Sequence, residues 1–347
     1  MKYKNWFFAT VTTILIPLLT IGSFNYYIDP LWNFHSDNEY NQIQMPFNER
    51  QQKTNYITFH KFDYDTLILG SSRVTYMDQN DFTGHKAYNY AVSNMLIDEY
   101  KDYIEYAKKM RGGEFDYIII GLDFMSTNKN IPREFESPAH YIETTNQFGY
   151  RASTLMSTDT LKYSQQNYEA SVKGQPINFA YNRENVKSLL QVSEEERASN
   201  IQTTLETYRT KIYANYEYTN VREMFQEIKE NNPHTEFIIF TTPVNHNLYN
   251  LMVELDLSTH YQQLLTDAVE VFGHVYDFNY PNSVTTDDSN YFDGSHFYPE
   301  IGRLIARKIK DISTTPPTDF GRLIKHVIKH GDGSPFEPRF NAERMPS

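Results

Sequence analysis

The chain has no cysteine. That excludes a disulfide framework, a thiolate nucleophile and any zinc site built on Cys ligands. It also lacks a glycine-rich phosphate loop, a dinucleotide fingerprint and a recognisable nucleic-acid module. With 44 acidic against 32 basic residues the net charge is −12, which phosphate backbones repel, so nucleic acid is not an expected partner. Long hydrophobic runs are scarce too. The exception is the amino terminus, where Asn5 to Ile28 carry no charge, include Trp6-Phe7-Phe8 and Ile14-Leu15-Ile16-Pro17-Leu18-Leu19, and are long enough to cross a bilayer.

Lys2 and Lys4 precede this stretch, which predicts a cytoplasmic amino terminus and an extracytoplasmic remainder: a single-pass protein of the cell membrane. A cleaved signal peptide has a similar pattern, but there is no Ala-x-Ala site and Ile21-Gly22-Ser23 is a poor substitute, so an uncleaved anchor is the expectation. Tyr26 and Tyr27 then lie at the membrane interface and Pro30 ends the helix. From 29 to about 57 there is no apolar periodicity, so residues 29–60 read as a stalk or an irregular wrap.

Beyond that point apolar runs and helical patterns alternate. The strand-like runs are Thr66–Leu69, Ala87–Ala91, Tyr117–Ile120, Phe237–Thr241 and Val275–Phe278. Ile97, Tyr100, Ile104 and Ala107 recur at helical spacing, a cap at Thr219-Asn220 opens a helix reaching toward Asn231, and Ile301, Leu304, Ile305, Ile309 and Ile312 form another apolar face. This predicts an α/β fold with a mainly parallel sheet. The polar stretch from about 125 to 215 is too long for a structureless loop and is expected to hold its own helices, as a lid or an ornament. Its tyrosines, among them Tyr141, Tyr150, Tyr163 and Tyr168, are able to stack on sugar rings, but 28 Tyr and 23 Phe in the chain make composition the simpler explanation.

Two short segments carry the chemistry. Gly70-Ser71-Ser72-Arg73 follows the first strand, at the carboxyl end where open α/β sheets place their sites. Asp293-Gly294-Ser295-His296 sets a carboxylate three residues before an imidazole, so one loop can present both. A serine needs a base to take its proton, and the base needs a partner to fix its tautomer, so the two segments together predict a serine acyl-transfer site. His246, after the fourth strand, reads as a solvated loop histidine.

The order of these motifs, with Pro299 and Gly302 after the histidine, resembles the SGNH or GDSL-like hydrolase superfamily. The resemblance covers residues from about 65 to 125 and from about 236 to 312. It implies a three-layer, flavodoxin-like fold with a five-stranded, mainly parallel sheet, Ser-His-Asp chemistry and no cofactor or metal. The family's Gly-Asp-Ser falls on Gly70-Ser71-Ser72, which makes Ser72 the nucleophile, His296 the base and Asp293 its orienting partner. Asn89-Tyr90-Ala91-Val92-Ser93-Asn94 is similar to the second block, so the backbone N–H of Asn94 is expected in the oxyanion hole. In Gly121-Leu122-Asp123-Phe124, Asp123 stands where the family has its oxyanion-binding Asn. An ionised carboxylate there opposes the developing charge, so Asp123 is expected to be either protonated in the active state or neutralised by a cation such as Arg73, and Asp123→Asn is expected to preserve or raise ester hydrolysis. Arg73 also has the alternatives of binding a substrate anion or forming a structural ion pair.

Membrane-anchored SGNH-like proteins of this kind include O-acyltransferases of cell-envelope polysaccharides that work beside a multispanning membrane acyltransferase. The resemblance therefore implies acyl transfer, most simply acetyl, to a cell-surface polysaccharide. The alternatives are a carbohydrate esterase or deacetylase with the same triad, and a non-catalytic glycan-binding or assembly protein, which Asp123 makes credible. The expected division is an anchor at 1–28, the stalk or wrap at 29–60, a catalytic domain at 61–320 with the insertion between its third and fourth strands, and a tail at 321–347. In that tail His326 and His330 read as part of a Lys-rich helix, with fraying from Gly331.

Overall fold

The computed structural model describes residues 2–174 and 177–325. They form two compact units. One joins residues 2–62 to Glu136–Leu190; the other joins Asp63–Phe135 to residues 191–325. The insertion is therefore divided. Its middle part, Glu136–Leu190, folds with the amino terminus, while the residues up to Phe135 and residues 191–215 fold with the sheet.

The strands are β1 (Thr66–Leu69), β2 (Ala87–Asn89), β3 (Tyr117–Leu122), β4 (Phe179–Tyr181), β5 (Lys187–Leu189), β6 (Glu236–Thr241), β7 (His274–Asp277) and β8 (Arg322–Lys325). The second unit is α/β, built on one six-stranded sheet of order β2-β1-β3-β6-β7-β8. Its first five strands run parallel; β8 alone is antiparallel, paired with β7 from His274↔Lys325 to Asp277↔Arg322. β1 and β3 are buried nearly throughout, as their continuous apolar runs require of strands covered on both faces.

The expectation of five strands is thus corrected to six. Residues 322–325, expected to be part of a tail, are an edge strand, held where Arg322 Nη2 lies 2.6 Å and Nε 2.8 Å from the buried Asp277 carboxylate. Four residues, two of them basic, carry too little apolar signal to be read as a strand. His326, His330 and the rest of the expected tail lie outside the described residues.

Helices cover the sheet where apolar spacing placed them. Tyr100–Arg111 buries Tyr100, Tyr103, Ile104, Tyr106 and Ala107; Val221–Glu230 starts after Asn220; Pro299–Lys310 buries Ile301 and Ile305. Helix Glu194–Thr207 and a π-turn at Tyr208–Ile212 complete this unit's part of the insertion.

The first unit has one helix, Lys2–Ile28, that is long and apolar enough to span a membrane; the span itself is Tyr3–Ile28. Helices Pro138–Asn146, Tyr150–Leu155 and Thr158–Lys173 and the hairpin β4–β5 fold with it. Residues 29–60, expected as a stalk or wrap, contain an 11-residue helix, Glu49–Phe59, capped by Asn48. Apolar periodicity is absent because this helix buries polar residues, from Glu49 through Asn55. Gln51 Nε2 donates to Asn55 Oδ1 (2.9 Å) and Thr145 Oγ1 (2.5 Å), and Gln52 Nε2 to the carbonyls of Pro30 (2.9 Å) and Met45 (3.0 Å). Glu49 Oε1 accepts from Tyr181 (2.8 Å) and Lys187 (2.7 Å). A buried polar group is tolerated when its partners are supplied, as they are for Glu49, Gln51 and Gln52. The insertion's tyrosines are part of this packing: Tyr163 stacks on Phe47, Tyr168 on Tyr40, and Tyr150 OH accepts from Asn55.

Candidate active site

β1 ends at Leu69 and the chain turns at Gly70, whose φ is +155°. A Cβ there would lie 2.3 Å from Val74 Cγ2, so only glycine lets the following turn sit this close to the sheet. Ser71 caps the four-residue helix Ser72–Thr75: its Oγ accepts from Arg73 N (3.4 Å) and its carbonyl from Val74 N (3.0 Å). Ser71 is fully buried and Ser72 half-buried, so only the second hydroxyl reaches solvent. Asn89, at the end of β2, locks the segment by donating to the carbonyls of Val74 and Met77, both at 2.9 Å.

The second segment closes on itself between Tyr291 and Phe297, which form an isolated antiparallel bridge. Asp293 Oδ1 accepts from Ser295 N (2.7 Å) and His296 N (2.8 Å), so its carboxylate organises its own loop. Asp293 Oδ2 lies 2.8 Å from His296 Nδ1, and His296 Nε2 lies 2.7 Å from Ser72 Oγ. Burial pushes the Asp293 carboxyl up, but the imidazole and the hydrogen bonds from His296 and Ser295 outweigh it and hold it below the ordinary value of 3.8. An ionised Asp293 only accepts, so the ring proton belongs on Nδ1 and the Nε2 lone pair faces the serine hydroxyl. Phe292 stacks on the ring at 5.3 Å between centroids.

Asp123 and Arg73 are corrected as substrate-facing groups. Asp123 is wholly buried and Arg73 3% exposed, and they form an ion pair with each other. Thr242 Oγ1 also donates to Asp123. Arg73 Nε donates to the Ser295 carbonyl (2.8 Å) and Nη2 to Tyr208 OH (2.5 Å). Burial lowers the affinity of the guanidinium for its proton, but the charge and hydrogen bond of Asp123, together with Tyr208 and Tyr213, outweigh this and hold it above the ordinary arginine value. One residue after Ser72, Arg73 thus ties the ends of β3 and β6, the π-turn and the histidine loop together.

Asn94 lies in the turn after β2, half-buried, with φ +54°, a left-handed conformation that Asn tolerates. Val92 N donates to the Gly70 carbonyl (3.2 Å), which tethers that turn to the segment carrying Ser72. His246 opens the helix His246–Glu254, its Nδ1 3.8 Å from Asp288 Oδ1. Sequence reasoning missed Asn89, Tyr208 and Thr242 as supports of the site. Thr242 follows a strand's carboxyl end, a position that signals it; Tyr208 carries no local signal. No protein-family model matches this chain, and no curated protein matches it.

Proposed function

We propose that this protein is a serine acyl-transfer enzyme of SGNH type, acting on a polysaccharide outside the cytoplasm from a membrane anchor at residues 3–28. The observation that carries the reading is the unbroken chain from Ser72 Oγ through His296 to Asp293, with contacts of 2.7 and 2.8 Å. Ser72 Oγ attacks the acyl carbon while its proton passes to His296 Nε2, and the imidazolium is stabilised by Asp293. The backbone N–H groups of Ser72 and Asn94 donate to the oxyanion. The proton on Nε2 then goes to the leaving oxygen, and the acyl group stays on Ser72. An incoming hydroxyl gives its proton to His296 and takes the acyl group as the bond to Ser72 Oγ breaks, and His296 returns that proton to Ser72 Oγ. If that hydroxyl is a sugar's, the product is an O-acylated glycan; if it is water's, the enzyme is an esterase.

The pairing of Asp123 with Arg73 removes the main reason for a non-catalytic reading, because that carboxylate has a partner other than the oxyanion. The test is covalent labelling with a fluorophosphonate, followed by transfer assays with a soluble sugar acceptor. Wild-type protein should label at Ser72 and Ser72→Ala should not. A folded wild-type protein that fails to label sinks the proposal.

A further inference from the structure

The helix Lys2–Ile28 is longer than a bilayer requires. At about 1.5 Å per residue, the span Tyr3–Ile28 is about 39 Å long, against a hydrocarbon core of about 30 Å. Its two parts also differ. From Tyr3 to Thr20 nearly every residue is exposed, whereas Gly22, Asn25 and Ile28 are buried. Gly22 lies against Met156: a Cβ there would be 3.0 Å from Met156 Cε and 3.8 Å from the Leu155 carbonyl. Asn25 Nδ2 donates to the carbonyls of Leu155 (2.9 Å) and Ser157 (3.3 Å), and its Oδ1 accepts from Ser164 Oγ (2.8 Å). A polar side chain within the span thus has its partners from protein and needs no water, which is the condition for polar groups at membrane depth. Met156 is 42% exposed at the same level.

From these contacts we infer that the first unit is not tethered at a distance but seated on the bilayer, with Leu155 and Met156 against lipid acyl chains beside the anchor. The lengths allow little else. If the hydrocarbon ends at Gly22, the residues from Tyr3 onward already suffice to span it and Met156 sits at its boundary. If it ends at Ile28, Met156 lies about 9 Å inside. In both cases the apolar surface of Met156 meets lipid, and Tyr26 and Tyr27, both exposed, fall in the interfacial belt on the same side.

The absence of cysteine makes the test clean. Single-cysteine variants of the full chain, Met156→Cys, Ile14→Cys and Lys173→Cys, are labelled with an environment-sensitive fluorophore. They are then reconstituted in vesicles of phosphatidylcholine and phosphatidylglycerol carrying a spin label near the top of the acyl chain. The probes at 156 and 14 should shift to the blue and lose most of their emission; the probe at the charged surface position 173 should do neither. Quenching at 14 but not at 156 overturns the seating. A wet probe at 14 overturns the span on which the seating depends.

Discussion

The two units bury charge to different ends. In the sheet unit the buried pair Arg73–Asp123 lies directly beside a serine that reaches solvent, and its hydrogen bonds reach the segment that carries His296. In the first unit Glu49, Lys53 and Lys187 are buried, and Lys187 Nζ lies 2.7 Å from Glu49 Oε1. One arrangement braces the proposed catalytic group; the other fills a core with polar side chains where apolar ones would ordinarily go. The difference teaches that burial of charge marks chemistry only where an exposed nucleophile adjoins it.

The largest effect that separates the units is at the nucleophile. Ser72→Ala should lower labelling and turnover by about four to six orders of magnitude. Ser71→Ala removes only a buried cap, costing about 1 kcal/mol of stability and leaving measurable turnover. Loss of labelling in the Ser71 variant with retention in the Ser72 variant would reverse the register.

Next comes the orienting carboxylate. Asp293→Asn should slow labelling by about 10⁴ because the imidazole loses its tautomer and its counter-charge. The same residue predicts a stability profile. Its folded pKa is depressed below 3.8, so its contribution is fully present above that value and is lost as pH falls through the lower, folded one. The Tm difference between wild type and Asp293→Asn should therefore be flat above about pH 5 and shrink on further acidification. A difference that grows toward low pH contradicts an ionised, paired Asp293.

Asp123→Asn tests the brace, and the geometry reverses the expectation of preserved or improved hydrolysis. The substitution leaves the Arg73 charge buried without its counter-ion, which should cost about 3–5 kcal/mol. The double variant Arg73→Met with Asp123→Leu removes both charges and should recover much of that stability. It should not recover the labelling rate, because the Ser295 carbonyl stays unheld. Full activity in the stable double variant would show that the pair is structural filling, like the charges of the first unit.

What the sequence disclosed follows the same division. β1 has the bounds read from its apolar run, and Asp293 with His296 was legible because three residues of one loop carry both groups. The pairing of Arg73 with Asp123 was among the expectations, but its ties to Tyr208 and Ser295, 135 and 222 residues away, were not legible. The helix Glu49–Phe59 was hidden because its buried face is polar, and hydropathy cannot tell a satisfied glutamine from a solvated one. β8 was hidden because its place depends on Asp277, 45 residues earlier.

The last predicted effect, at Lys53 in the first unit, is on stability alone and not on labelling. Burial is the main cause holding its ammonium down, from 10.5 to about 7; Glu49 opposes this and Lys187 adds to it. For a base whose folded pKa is lowered, the unfolded chain binds the extra proton between the two values, so wild-type stability rises with pH from about 7 to about 10.5. The slope is at most about 1.4 kcal/mol per pH unit. Lys53→Met removes that proton and keeps much of the side chain's length. Thermal melts of the two proteins should therefore differ most, in favour of Met, at pH 6, and converge as pH approaches 10. A gap independent of pH would mean that Lys53 stays charged in the folded state, held by Glu49, and that this core uses a full ion pair, as the sheet unit does around Arg73.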